Sequence, residues 1–315
     1  GIVTARGLSI FGNTTGLKVA SGISTFQAIT ATTIVSSSTI NGLSVSKGAN
    51  SVANNLAVGD GALDASVTGD ENTAIGKNAL GELTTGSANT IVGASCGDAI
   101  TTGADNTAMG VSALGTNTTG ANNTAIGRAA LFTNNGNNNT ALGYHALRLN
   151  STGTQNTAIG YQTLDATTTG RYNTAMGVAA LGANTTGEYN VAIGVNALDA
   201  QTTPNGNTAL GYSTLSSVVD TGFHTALGFS ALNSNTSGTN NTAVGGYSGY
   251  SNTTGDANAS FGYSSLRLNT TGDYNTALGS YSLYTNSTGD NNTAIGYYAL
   301  FANTTGSNNT AVGHQ

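Results

Sequence analysis

The chain has 315 residues and a net charge of −6, and only 7% of its residues are charged. This charge balance leaves no basic surface for nucleic acid, and no apolar run is long enough to cross a bilayer. We therefore expect no nucleic-acid partner and no membrane insertion. The single cysteine, Cys96, excludes an internal disulfide and is expected to be a small buried residue.

Residues 1–50 contain five short segments that begin with glycine and alternate apolar and polar side chains, as half-buried strands do. They include Gly-Ile-Ser-Thr-Phe at 22–26 and Gly-Leu-Ser-Val at 42–45. None is long enough to fold alone, so residues 1–50 are predicted to be a slender N-terminal β-rich stalk or connector.

Between residues 51 and 315 a phrase close to Asn-Thr-Ala-Ile-Gly occurs sixteen times. Its last residue, here named the phrase glycine, recurs every 17 residues except for one step of 16 between Gly127 and Gly143. So regular a period is typical of a solenoid, in which each repeat stacks on the previous one. Residues 51–315 are therefore predicted to be an all-β parallel β-solenoid, or β-roll, of about sixteen 17-residue coils.

Coil positions are numbered here from the phrase glycine, negative before it and positive after it. A second glycine, named the turn glycine, ends a Thr-Thr-Gly turn at position −7 of most coils, as at Gly120 and Gly187. Because glycine adopts positive φ at little cost, two glycines per coil predict two corners and two short strands.

The strand Asn-Thr-Ala-Ile is restricted on both of its faces. Side chains alternate along a strand, so Asn and Ala share one face while Thr and a large apolar residue share the other. A solitary β-roll needs only one apolar face, so we predict that copies of the same chain cover the second one. The pattern leaves open which of the two faces is the coil interior.

Position −4 is asparagine in every copy except one, which has His224. Stacking places like residues on like, so these side chains are predicted to form a structural amide ladder rather than a ligand site. The ladder residues include Asn72, Asn106, Asn123, Asn156, Asn173 and Asn292.

Two stretches depart from the repeat. At 199–224, Pro204 and Thr221 take turn-glycine positions and His224 replaces the ladder asparagine. A tolerated corner variant and an outward binding loop are both open interpretations of this stretch. The short repeat at 128–136 is predicted to be a one-residue corner deletion.

All thirteen tyrosines lie at or after Tyr144, many of them at position +1 or −5. Stacking would align each set in a column, either for packing along the rod and between chains or as a stripe that contacts a sugar or another surface receptor. The residues of such a receptor-contact stripe are Tyr144, Tyr161, Tyr172, Tyr189, Tyr212, Phe229, Tyr263, Tyr274 and Tyr297.

The sequence has no catalytic constellation, P-loop or dinucleotide-binding fingerprint. We therefore expect no enzymatic activity, no cofactor and no metal site. One alternative stays open, because Asp256, Asp273 and Asp290 align one residue after the turn glycine and could hold a cation weakly.

The phrase at 72–76, 123–127, 156–160 and 292–296 resembles the Asn-Ser-Val-Ala-Ile-Gly repeat in the heads of trimeric autotransporter adhesins. Those heads are left-handed parallel β-rolls in which three chains bury one face together, so the resemblance implies a homotrimer. The chain is also similar to fibre proteins of tailed bacteriophages, especially marine and cyanophage-like ones. That likeness lies in residues 292–306 and in the segment 22–26.

These resemblances imply a structural fibre of a phage virion that positions or mediates attachment to the host cell surface. Its partners would be other virion proteins and a host surface glycan or protein. A bacterial surface adhesin or extracellular filament subunit, located at the bacterial cell surface, is the alternative. An ice-binding β-solenoid is a further alternative, because the Asn-Thr-Thr-Gly turns offer stacked threonine columns.

Overall fold

The computed structural model describes residues 38–40, 43–219 and 222–314, all within one compact unit, Ser36–Gln315. These residues form a single sheet of 18 strands. No helix occurs in the described ranges, and hence none that could span a membrane. The segments predicted within residues 1–37 lie outside the described residues.

The sheet begins with β1 (Ser38–Ile40) and β2 (Leu43–Ser46), and sixteen three-residue strands follow. Those strands are β3 (Leu56–Val58), β4 (Thr73–Ile75), β5 (Thr90–Val92), β6 (Thr107–Met109), β7 (Thr124–Ile126), β8 (Thr140–Leu142), β9 (Thr157–Ile159), β10 (Thr174–Met176), β11 (Val191–Ile193), β12 (Thr208–Leu210), β13 (Thr225–Leu227), β14 (Thr242–Val244), β15 (Ala259–Phe261), β16 (Thr276–Leu278), β17 (Thr293–Ile295) and β18 (Thr310–Val312).

Strands β3 to β18 stack in parallel, each pairing with the next in strict register, so that Ala158 lies opposite Ala175 and Ala175 opposite Ala192. The predicted parallel β-solenoid is confirmed. At the N-terminal edge of the sheet, β2 pairs antiparallel with β3, and β1 pairs antiparallel with β2. Strands β1 and β2, which fall within the predicted stalk, thus extend the solenoid sheet at its first coil.

Each coil contains one strand, so the prediction of two strands per coil is wrong. The remaining residues form turns, and these turns include non-glycine residues with left-handed φ at positions −5, +2 and +4. In one coil they are Gln162, Leu164 and Tyr172, with φ of 52°, 53° and 61°. Repeated left-handed residues bend the chain too sharply for a second extended segment.

The face with asparagine and alanine is the coil interior. The central alanine of nearly every strand is fully buried, as are the ladder asparagines, whereas the flanking threonine and large apolar residue point outward. Leucine at position +4 and a small residue at +3 complete the core, and Cys96 occupies a +3 position as predicted. Burial raises the pKa of the Cys96 thiol to about 12, which keeps it protonated and unreactive.

Position +4 explains an irregularity in the sequence. It is leucine in most coils and glycine at Gly97 and Gly249, and all of these residues have φ near 50–60°. Left-handed φ disfavours leucine by about 1–2 kcal/mol, but burial of its side chain contributes about 2–3 kcal/mol. Leucine therefore serves the core at the expense of local backbone strain, and glycine fits the backbone at the expense of the core.

The two glycines of each coil have different roles. Every phrase glycine has φ between 130° and 142°, as the corner prediction requires. The turn glycine does not have positive φ, and that part of the prediction is wrong. It is needed for close approach instead, since a Cβ on Gly170 would lie 2.6 Å from the carbonyl oxygen of Gly187 in the next coil.

The stack continues through both irregular stretches. At the short repeat, the N–H of Asn139 still donates to Asn123 Oδ1 at 2.9 Å, and the missing residue comes from the corner between Asn134 and Gly136. At Pro204, the proline carbonyl accepts hydrogen bonds from Asn190 Nδ2 at 2.9 Å and Gln201 Nε2 at 2.7 Å. A turn position that does not need positive φ accepts proline readily.

Candidate functional site

The asparagines at position −4 form a continuous hydrogen-bonded ladder inside the solenoid. The Asn156 N–H donates to Asn139 Oδ1 at 3.0 Å, and Asn156 Nδ2 donates to the carbonyl oxygen of turn glycine Gly170 at 2.8 Å. The same two bonds occur in most coils. The first joins each coil to the previous one, and the second joins the strand to the turn within one coil. The structure places all six sequence-predicted members in it, buried: Asn72, Asn106, Asn123, Asn156, Asn173 and Asn292.

A second amide ladder, which the sequence analysis missed, begins the Asn-Thr-Thr-Gly turn. In the C-terminal coils Nδ2 of each asparagine donates to Oδ1 of the one before it at 2.8–2.9 Å, and also to a turn-glycine carbonyl. Its members there are Asn235, Asn252, Asn269, Asn286 and Asn303. The recurrence of this asparagine three residues before the turn glycine was the available signal.

Each of the aligned turn acids accepts a hydrogen bond from a backbone N–H of the previous coil. Asp273 Oδ1 accepts the N–H of Asp256 at 2.7 Å, Asp290 Oδ1 accepts the N–H of Asp273 at 2.9 Å, and Asp256 Oδ1 accepts the N–H of Thr239 at 2.6 Å. Ser307 Oγ accepts the N–H of Asp290 at 2.9 Å in the same way. Among the described residues no group of three or more His, Cys, Asp or Glu side chains could hold a metal ion.

His224 takes the place of a ladder asparagine. Its side chain is buried, its backbone N–H donates to Asn207 Oδ1 at 2.9 Å, and its ring Nδ1 accepts the backbone N–H of Asn241 at 3.2 Å. Burial lowers the pKa of His224 to about 4, and the carbonyl of Gly238 opposes that shift only in part. The ring therefore acts as a neutral member of the ladder, and the stack passes through the described part of 199–224 as a corner variant.

The aromatic residues predicted to contact a receptor fall in two separate columns. Position +1 follows the phrase glycine at the end of the strand and position −5 precedes the strand, so these columns lie at opposite ends of the strands. Neighbouring members stack: Tyr144 on Tyr161 with ring centroids 5.4 Å apart, and Tyr212 on Phe229 at 5.1 Å. Two valine-bearing coils separate Tyr161 from Tyr212, so the column is interrupted. Position +1 holds Tyr144, Tyr161, Tyr212, Phe229, Tyr263 and Tyr297, and position −5 holds Tyr172, Tyr189 and Tyr274.

A further aromatic cluster lies at positions +2 and +5 of the four coils before the last phrase glycine, Gly313. We name this cluster the C-terminal aromatic face; its residues are Tyr247, Tyr250, Arg267, Tyr281, Tyr284, Tyr298 and Phe301. Tyr281 stacks on Tyr298 at 5.0 Å and Tyr284 stacks on Phe301 at 5.2 Å. None of these seven residues is among the predicted contacts, which lie at positions +1 and −5. Two predicted contacts, Tyr263 and Tyr297, pack edge-on against Tyr281 with ring centroids 5.6 and 6.4 Å away.

Arg267 is the cation of this face. Its guanidinium carbon lies 4.7 Å from the ring centroid of Tyr247 and 5.8 Å from that of Tyr250. Arg148 occupies the same coil position, +5, but there the next coil supplies Asp165, whose Oδ1 is 2.8 Å from Arg148 Nε. For Arg267 the same position of the next coil is Tyr284 instead of an acid, and among the described residues Arg267 has no carboxylate partner.

The outward side of the strands forms a second continuous surface. We name it the sheet face: position −3, which is threonine in thirteen of the sixteen strands, and the large apolar residue at −1. The apolar column is exposed in part of the coils, with Met109 at 53% and Leu278 at 48%, and half-buried in others, as at Ile159. In the part of the chain that the structure describes, the hydroxyls of threonines at −3, such as Thr157, have no hydrogen-bond partner.

Comparison of the chain with family models, with curated proteins and with solved structures gives no match.

Proposed function

We propose that this chain is the structural rod of a fibre in which three copies pack along their sheet faces. One observation carries the proposal: an apolar column runs along the whole solenoid, and each of its members is exposed or half-exposed in the single chain. Soluble proteins seldom leave a large contiguous apolar patch uncovered unless it is an interaction site.

The size of the sheet face supports this assembly. Sixteen strands about 4.8 Å apart give a face about 70 Å long, and three residues give a width of about 10 Å, or about 700 Å² per chain. A stable interface takes about 800 Å² from each partner. The neighbouring column at +1, which includes exposed Val111, Val178 and Tyr212, supplies the remaining area.

The choice of three copies and of a phage virion follows from the resemblance of the repeat to trimeric adhesin heads and to phage fibre proteins. In this proposal the rod lies outside the cell, joins other virion proteins and positions or mediates attachment to a glycan or protein of the host surface. A surface adhesin of a bacterial cell with the same rod is the alternative. Gold-labelled antibody against the chain would decorate virion appendages in the first case and the bacterial envelope in the second.

Charged substitutions test the assembly. The double variant I159K/M176K places two lysines in the apolar column and is expected to dissociate the fibre into single chains. Thr169→Lys, at an exposed corner away from the sheet face, is the matched control and should keep the assembly. Sedimentation of the variants measures the effect; an assembled I159K/M176K protein, or a dissociated T169K protein, would refute the sheet-face interface.

Ice binding is a second candidate, and one observation favours it: the sheet-face threonines form a regular column with unpaired hydroxyls. The first threonine of the turn has a paired hydroxyl instead, because Thr84 Oγ1 donates to the Thr101 carbonyl at 2.9 Å and Thr168 Oγ1 to the Thr185 carbonyl at 3.1 Å. Ice binding requires an open sheet face and the fibre requires a covered one. Thermal hysteresis by a single-chain species would favour ice binding.

A further inference from the structure

We propose that the C-terminal aromatic face binds an acidic saccharide, with Arg267 holding its carboxylate and the flanking rings supporting the sugar. This inference rests on the proposed attachment role and names the class of ligand.

The C-terminal aromatic face carries a positive charge at Arg267. Arg267 has no carboxylate partner in the described structure, although the equivalent Arg148 is neutralised by Asp165 one coil away. The nearby turn acids Asp256 and Asp273 are engaged with backbone N–H groups at their own corner. The face therefore presents one positive charge without a compensating negative charge, which favours an anionic ligand.

Two tyrosine rings preorganise the guanidinium of Arg267. Tyr247 and Tyr250 lie within cation–π distance of Arg267 and restrict its side chain. A stacked guanidinium keeps its N–H donors at its edges, and their planar fork matches a carboxylate. Less rotamer entropy is then lost when the carboxylate binds.

The stacked rings that follow Arg267 in the column suit a sugar ring. On the far side of Arg267 in the same column, Tyr284 and Phe301 stack with their rings nearly parallel, 12° apart. These partly exposed rings offer apolar area together with the Tyr284 hydroxyl, and such a surface suits a sugar ring with its C–H groups and hydroxyls. The column thus combines a carboxylate site and an aromatic platform in adjacent coils, as a chain of uronic acids would require.

Binding of the intact protein to three acidic polysaccharides, polygalacturonate, alginate and hyaluronan, tests the proposal. Each is compared by calorimetry with its carboxyl-reduced form. The wild-type chain is expected to bind at least one acidic form at least about tenfold more tightly than the reduced form. Arg267→Gln should remove that preference, while Arg148→Gln, the matched control in the same column, should retain it.

A second variant separates the platform from the charge. Tyr284→Ala should weaken binding of the acidic and reduced forms by similar factors, with the circular dichroism spectrum and melting temperature showing that the fold is kept. Binding to none of the three acidic polysaccharides, equal binding of both forms, or unchanged binding by R267Q would overturn the inference. If labelled R267Q protein still attaches to host cells as the wild type does, the attachment role stands and this inference alone fails.

Discussion

His224 lies buried in a column that otherwise consists of asparagine. Its pKa is lowered to about 4 in the folded protein, against an ordinary value of 6.5. Between those values the unfolded chain binds a proton and the folded chain does not, so stability is expected to fall as the pH drops from 6.5 to 4. The loss amounts to roughly 3 kcal/mol at the lower end.

Urea unfolding between pH 7 and pH 4 measures this loss, and the variant His224→Asn serves as its control. Asparagine restores the repeat residue and has no titrating group, so H224N should lose less stability than the wild type over this range. Equal losses in the two proteins would show that His224 does not titrate as described.

Glycine substitutions separate the two corner requirements from ordinary surface positions. Gly177→Ala forces alanine to φ of 132°, and Gly170→Ala places a Cβ 2.6 Å from a carbonyl oxygen. Each should lower the free energy of unfolding by more than about 1 kcal/mol. At Gly246 the nearest atom to a new Cβ is a Tyr263 ring carbon at 3.5 Å, so Gly246→Ala should change stability by less than about 0.5 kcal/mol. Thermal melts of the three variants decide whether the corners impose these limits.

Residue-level prediction succeeded where one property decided the outcome. The asparagine column could be foreseen because an amide both donates and accepts, and identical residues stack in a solenoid. The left-handed leucine at +4 could not be foreseen, because leucine disfavours that φ and only the packed core compensates for it. The interchange of leucine with Gly97 and Gly249 was the one sequence hint.

At the scale of the coil, the ladder is the main polar support of the fold. Asn156→Ala would leave the N–H of Asn173 and the carbonyl of Gly170 without their buried partners. Two unsatisfied buried groups cost about 3 kcal/mol or more, so this variant should melt well below the wild type. Thr152→Ala, at an exposed corner of the same stretch, is the control and should melt as the wild type does. Similar melting of all three proteins would contradict the ladder's role.

Coil architecture was predictable in its period but not in its internal path. Glycine spacing gave the repeat and the place of the corners, yet the same spacing suits one strand or two. The left-handed φ at −5, +2 and +4 decides that each coil has one strand. Residues as different as Gln155, Tyr281 and Leu283 adopt this φ, so the residue type does not reveal it. The cluster around Arg267 was missed for a related reason: residues three apart in sequence, such as Tyr281 and Tyr284, become neighbours only after the turn closes.

At the scale of the whole molecule, the sheet face distinguishes a self-sufficient solenoid from a fibre component. Alanine faces the coil interior, so the larger residues at −1 remain outside, in a column that does not contribute to the core of the single chain. The sequence predicted that both strand faces are restricted, and the structure assigns one of them to the core. What covers the other depends on contacts between molecules, which neither the repeat period nor a single chain contains.

The mass of the assembled protein in solution tests the central proposal most directly. Sedimentation equilibrium or light scattering on the intact chain should give three times the chain mass of 31.1 kDa, independent of concentration in the micromolar range. A stable monomer of 31.1 kDa with its sheet face open to water would contradict the proposed fibre.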